Sequence, residues 1–165
     1  MYGWSAATLP SCRMSSSFHL GNESSSYVAV EVSERQHPHT TDFWDANWVV
    51  STVEVAAGPW RGRYPASLRS EEFATFRDQL TRLYNDTGAG PAKFDSMEPW
   101  LRLTVERTDR LGHISVVGEA RMEPFFDRHN ILQFVIELDQ SFVPEALRGL
   151  AEILEEFPVI GSPDD

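Results

Sequence analysis

Two histidines close together in a polar loop are the residues best suited to bind a metal ion. His37 and His39 flank a proline in the segment RQHPHTT, and Asp42 and Asp45 follow a few residues later. Imidazole nitrogens and carboxylate oxygens are common metal ligands, but such loose spacing is equally typical of a solvated loop. His37 and His39 are therefore weak metal candidates, and we expect neither a bound metal nor a cofactor.

Nucleophilic and acid–base catalysis have no candidate in this sequence. No serine lies in a G-x-S-x-G elbow, and the single cysteine, Cys12, has no neighbourhood that would activate its thiol. Carboxylate pairs such as Glu71/Glu72 and Glu155/Glu156 fall on faces that the periodicity predicts to be polar and solvated. Acid–base catalysis instead needs two carboxyls in different environments of one pocket. We therefore predict that the protein is not an enzyme.

The segment DFWDANW concentrates large aromatic and small polar side chains in a short stretch of chain. Trp44 and Trp48 alternate there with Asp42, Asp45 and Asn47. The aromatic rings either plug the edge of a sheet or anchor a partner whose cations the two aspartates meet. Sequence alone leaves both interpretations open.

The charge balance favours a basic partner. With 14 basic and 25 acidic residues the chain carries a net charge of −11, which repels nucleic acids and anionic membranes. Four glutamates lie on the polar side of the last predicted helix: Glu145, Glu152, Glu155 and Glu156. One cysteine and no signal-peptide or membrane-spanning stretch fit a cytoplasmic protein.

Hydrophobic periodicity places these residues on strands and two helices. Strands are predicted over 27–34, 48–55, 99–107, 113–123 and 130–140. Pro65 leaves only a short, irregular partner strand after Gly62. An amphipathic helix begins at Ser70 and ends near residue 85, and a second begins at Pro144 and stops before Pro158.

The order strands, helix, strands, helix predicts an α+β fold, mainly an antiparallel β-sheet with two helices packed on one face. Residues 18–160 form the single domain in this prediction. Residues 1–17 are expected to be a disordered tail, with Met14 an alternative start to Met1, and residues 161–165 a flexible acidic end.

Three segments, FWDANWV, GPWRGR and ELDQSFVPEALRGLAEILEEFPV, resemble in their order and spacing the WapI family of bacterial immunity proteins. The resemblance runs from about Phe18 to Val159, with Ala46 where the family pattern has glycine. The matching positions are Phe43, Trp44, Asp45, Asn47, Trp48, Asp139 and Gln140.

This resemblance implies an immunity protein that binds and neutralises a cognate toxin domain, typically a nuclease. An acidic surface would then occlude the toxin's basic cleft. The expected contacts are either Asp42, Trp44, Asp45, Asn47 and Trp48 or the four glutamates of the last helix.

Two alternatives remain open. The first is a small-ligand protein or enzyme with a pocket on the sheet, using His113, Asp139 and the tryptophans. The second is a structural subunit in which the uncovered sheet face pairs with a second copy as a homodimer.

Overall fold

Alternation of apolar and polar residues builds the strands of this protein, whose computed structural model describes residues 15–164. Along β2 the valines at 28, 30 and 32 are fully buried, while the residues between them remain partly exposed. The elements are β1 Ser16–Gly21, β2 Tyr27–Arg35, α1 Phe43–Ala46, β3 Trp48–Ala57, β4 Trp60–Arg69, α2 Ser70–Asn85, β5 Ala92–Asp95, β6 Leu101–Arg107, β7 His113–Arg121, β8 Ile131–Asp139, a 3-10 turn Gln140–Phe142 and α3 Val143–Glu156.

The strands form two antiparallel four-stranded sheets, ordered β1-β2-β3-β4 and β5-β6-β7-β8. The predicted α+β class and antiparallel pairing are thus confirmed. The prediction of a single sheet is wrong, and the predicted packing of both helices on one face is not confirmed. Instead α3 lies against the edge strand β1, α2 lies against the edge strand β5, and the two helices contact each other.

Aromatic rings from both sheets and from α2 meet at the centre of the core. The ring of Phe18 on β1 lies 5.9 Å from that of Phe76 on α2 and 6.4 Å from that of Phe94 on β5. Gly149 lets α3 approach β1 closely, because a Cβ there would lie 2.3 Å from the carbonyl oxygen of Ser17. Close packing of this kind fixes the position of α3.

Several predicted boundaries need correction. The partner of β3 is a regular ten-residue strand, β4, rather than a short irregular one. Pro65 is tolerated because β4 is an edge strand, where a missing N–H costs no ladder hydrogen bond. Ser16 and Ser17, expected in a disordered tail, belong to β1. The sequence analysis also missed β5 and the four-residue helix α1.

The chain ends are only partly covered by these observations. Residues 1–14, with Cys12 and Met14, lie outside the described residues, so the predicted tail stays a prediction there. In the described part of the chain, no helix combines the length and the apolar character that crossing a bilayer requires.

Candidate functional site

The short helix α1 presents two of the predicted contact residues to solvent. Asp42 caps the helix, because its carboxylate accepts the backbone N–H groups of Trp44 and Asp45 at 2.9 and 3.2 Å. The side chain of Trp44 is 51% exposed, and Asp45 is exposed beside it. Trp48, at the start of β3, is half-buried. The aromatic segment therefore offers one open ring next to a carboxylate.

A buried arginine supports these rings. Arg69, at the end of β4, is 1% exposed, and its guanidinium carbon lies 5.2 to 5.3 Å from the ring centroids of Phe43, Trp44 and Trp48. Its Nη2 also donates to the carbonyl of Phe43 at 3.0 Å. Cation–π contacts strengthen where water is excluded, so Arg69 fixes the aromatic segment from below.

The same arginine connects α1 to a second exposed apolar side chain. Nη1 of Arg69 forms an ion pair with Glu71 at 2.8 Å and lies 3.7 Å from the sulfur of Met97, which is 56% exposed. Trp44 and Met97 thus flank one buried cation. Exposed aromatic and methionine side chains over a desolvated centre have the composition of an interface hot spot.

The glutamates at the start of α2 are structural rather than solvated, which corrects the expectation for this pair. Glu72 accepts the backbone N–H of Arg69 at 2.9 Å and that of Met97 at 2.6 Å. Burial raises the pKa of Glu72 to about 7, and it raises the pKa of Glu71 more than Arg69 lowers it. Glu72 therefore holds the Met97 segment against the helix, whereas Glu71 pairs with Arg69.

A buried asparagine and a partly buried arginine attach α1 to the chain that follows α3. Asn47 is fully buried: its Nδ2 donates to the carbonyls of Phe43 and Ile160, and its Oδ1 accepts the N–H of Ile160, each at 2.9 Å. Arg35 donates to the carbonyls of Ala46 and Pro158. Asn47 therefore positions the site and has no surface of its own to offer a partner.

These links attach the segment that follows the C-terminal end of α3 to α1. Glu145, Glu152, Glu155 and Glu156 are all exposed along α3. The last two lie at the C-terminal end, directly before the segment that bonds to α1, and Glu156 accepts a hydrogen bond from Ser16 at 2.5 Å. Glu145 lies ten residues earlier, about 15 Å along the helix. We call Asp45, Trp44, Met97, Glu155 and Glu156 the α1–α3 surface.

The loop that contains His37 and His39 does not bring together a set of metal ligands among the described residues. His37 and His39 are exposed. Over residues 15–164, no three His, Cys, Asp or Glu side chains come together in a way that could hold a metal ion.

The enzyme alternative requires a cleft lined by His113, Asp139 and the tryptophans, and the structure has a cleft that includes the first two. His113 and Asp139 line an open cleft of about 500 Å³ with Asn22 and Phe142, but the tryptophans do not. The Nδ1 of His113 lies 2.5 Å from the carboxylate of Asp109, and this contact raises the pKa of the imidazole. A raised pKa leaves less of the imidazole in the neutral form that a general base requires.

Arg69, Met97 and Arg35 were not predicted from the sequence to belong to this site. Arg69 follows the apolar face of a strand, where a charged residue signals solvent rather than a buried contact. Only the aromatic cluster itself hinted that a cation would be needed nearby.

Comparison with known proteins identifies the family. Among curated proteins, none matches this chain. The model of the immunity protein WapI-like family matches residues 19–158, most of the chain, which confirms the resemblance drawn from the FWDANWV, GPWRGR and closing helix segments. The chain belongs to the WapI-like family of immunity proteins.

Proposed function

We propose that this protein is a cytoplasmic immunity protein that binds and neutralises a cognate toxin domain, in particular a nuclease with a basic active-site cleft. The toxin contacts the α1–α3 surface in this proposal. No catalytic step is needed, because occluding the cleft is enough to stop the toxin. The family supports toxin immunity, while the nature of the toxin and the surface used are our own inference.

The observation that carries the choice of surface is the exposed Trp44 held over buried Arg69 beside acidic side chains. An aromatic ring that is already fixed loses little conformational entropy on binding. Asp45 is the next residue and supplies negative charge beside the ring, Glu155 adds negative charge on α3, and the net charge of −11 attracts a basic domain over longer distances. Anchor and charge therefore act together, the first on dissociation and the second on association.

The candidate toxin is the C-terminal domain of the protein encoded by the neighbouring gene. The experiment is co-purification of the immunity protein with that domain, followed by a test of whether it rescues cells that express the domain. We expect tight binding with rescue. If the domain neither binds nor loses its toxicity, while the purified protein retains a small ligand in the His113 cleft, the proposal fails and the enzyme alternative replaces it.

A tryptophan pair tests the anchor. Trp44→Ala removes the fixed ring and should weaken binding about thirtyfold, the effect of a hot-spot residue worth about 2 kcal/mol. Trp60→Ala is the matched control, because Trp60 is 66% exposed on β4, away from α1. Equal losses in the two variants would contradict the assigned surface.

A pair of charge reversals tests the electrostatic part. Asp45→Lys with Glu155→Lys changes the α1–α3 surface, whereas Glu106→Lys with Asp127→Lys changes exposed carboxylates elsewhere. Each reversal adds two positive charges, so both doubles alter net charge equally. We expect association with the toxin at low salt to slow about tenfold or more for Asp45→Lys with Glu155→Lys, and not for the other double variant. If association slowed equally for both double variants, net charge alone would explain the effect and the assigned surface would not be supported.

A further inference from the structure

Within the described residues, the edge strand β8 pairs with no strand beyond β7, no helix is packed along it as on β1 and β5, and it contacts β3 of the other sheet. The edge strand β1 is covered by α3, and β5 is covered by α2. The edge strand β4 carries Pro65, Arg61 and Arg63, which discourage pairing with another strand. The β8 sequence ILQFVIELD contains no proline, lysine or arginine and runs without a bulge for nine residues.

Hydrogen bonds at both ends of the β7–β8 ladder show which residues face this edge. The N–H of Met122 donates to the carbonyl of Asn130, and the N–H of Gln140 donates to that of Gly112. Bonded and non-bonded pairs alternate along an antiparallel ladder, so the even-numbered residues of β8 bond to β7. The odd-numbered residues therefore direct their N–H and C=O groups away from the sheet. These are Ile131, Gln133, Val135, Glu137 and Asp139.

Two open clefts border this strand, and their opposite walls include residues 60–64 at one end and Asn22, Ser25 and Ser26 at the other. A cleft of about 320 Å³ borders the beginning of β8 at Ile131, and the cleft of about 500 Å³ borders its second half from Val135 to Asp139. Ile131 and Val135 are 47% and 58% exposed. Within residues 15–164, no hydrogen bond reaches the outward N–H groups of β8.

We propose that β8 pairs antiparallel with β8 of a second copy, joining two four-stranded sheets into one sheet of eight. The strand is complementary to itself when the two-fold axis passes through Val135. Val135 then faces its own copy, Glu137 faces Gln133, and Asp139 faces Ile131. All five outward-facing residues are paired, and neither acidic residue faces another carboxylate, which would be unfavourable.

The mainly uncharged character of the outward-facing residues of β8 favours a second copy over a basic toxin as the occupant. Only the last two outward side chains of β8 are acidic, and Ile131 and Val135 present apolar surface. Two copies of net charge −11 repel each other, so this pairing should strengthen as salt screens that repulsion. Binding of a basic toxin should weaken with salt, and the two associations are thereby distinguishable.

The first test measures the mass of the full-length protein by sedimentation over a range of concentration and salt. We expect a monomer–dimer equilibrium that shifts towards dimer at high salt. In the dimer, amide exchange should slow at Val135 and the other outward-facing residues, while Phe134 and Ile136 are protected in both states. A protein that stays monomeric throughout overturns the proposal.

The second test uses the fact that Val135 alone faces itself. Val135→Glu and Val135→Lys each place like charges across the axis and should weaken dimerisation about fivefold or more. Mixing the two variants should restore it, because Glu then faces Lys. Val117→Glu is the matched control, since Val117 is 45% exposed opposite Val135 but on the interior strand β7. Equal weakening by Val117→Glu, or no recovery on mixing, overturns the pairing.

Discussion

Replacing Asn47 by leucine should destabilise the protein, because its amide satisfies three partly buried backbone groups. The variant leaves the carbonyl and the N–H of Ile160 without their 2.9 Å partners, whereas the carbonyl of Phe43 keeps Arg69 as a donor at 3.0 Å. An unsatisfied buried polar group costs about 1–3 kcal/mol. Ile160 is partly exposed, so water can serve some of these groups. We therefore expect a loss of about 2–4 kcal/mol in the free energy of unfolding.

Urea unfolding followed by tryptophan fluorescence measures this loss, since Trp44 and Trp48 flank the substituted position. Asn130→Leu is the control, because Asn130 is exposed and should change stability by less than about 0.5 kcal/mol. A third variant, Asn47→Asp, keeps the shape but turns an oxygen towards two carbonyls. Its ionised form is disfavoured by burial and repulsion, so its pKa rises and its stability should recover as the pH falls below 7.

A small effect would refute this reasoning. If Asn47→Leu lost less than about 1 kcal/mol, the three hydrogen bonds would not be holding α1 against the segment after α3. The continuity of the α1–α3 surface would then lack its main support. If the stability of Asn47→Asp relative to the wild type did not recover as the pH falls, the donor role assigned to Nδ2 would be wrong.

Two further predictions concern the polar groups around α2. Arg69→Leu should cost about 2–4 kcal/mol in urea unfolding, and adding Glu71→Leu should recover part of it, because no carboxylate then lacks its cation. Additive losses would contradict this coupling. Glu72 has a pKa of about 7 when folded and 4.5 in its ordinary state, so the folded protein binds its proton more tightly. The stability of the wild type relative to Glu72→Gln should therefore fall between pH 4.5 and 7 by about 1–3 kcal/mol, then level off; a flat difference would contradict the raised pKa.

Elements with long, regular periodicity were predictable from the sequence, whereas their division into sheets was not. The alternating valines of β2 and the apolar stripe of α2 correctly indicate a strand and a helix. The four-residue β5 is too short to show a period, and Pro65 argues against β4 unless its edge position is known. Nothing local to the sequence marks which strands pair, so two sheets were read as one.

The candidate surface shows the same limit at the level of side chains. The density of tryptophan and aspartate drew attention to α1, but a four-residue helix with Ala46 as its only buried residue cannot hold a fixed orientation by apolar packing. Its orientation comes from Asn47, which directly follows the helix, and from Arg35 and Arg69 at the ends of β2 and β4. Burying such polar groups lowers stability unless every one is bonded. In return they keep Trp44 ordered before any partner arrives, and an ordered side chain loses less entropy on binding. If Trp44 anchors the toxin as proposed, these polar residues contribute to affinity without touching the partner.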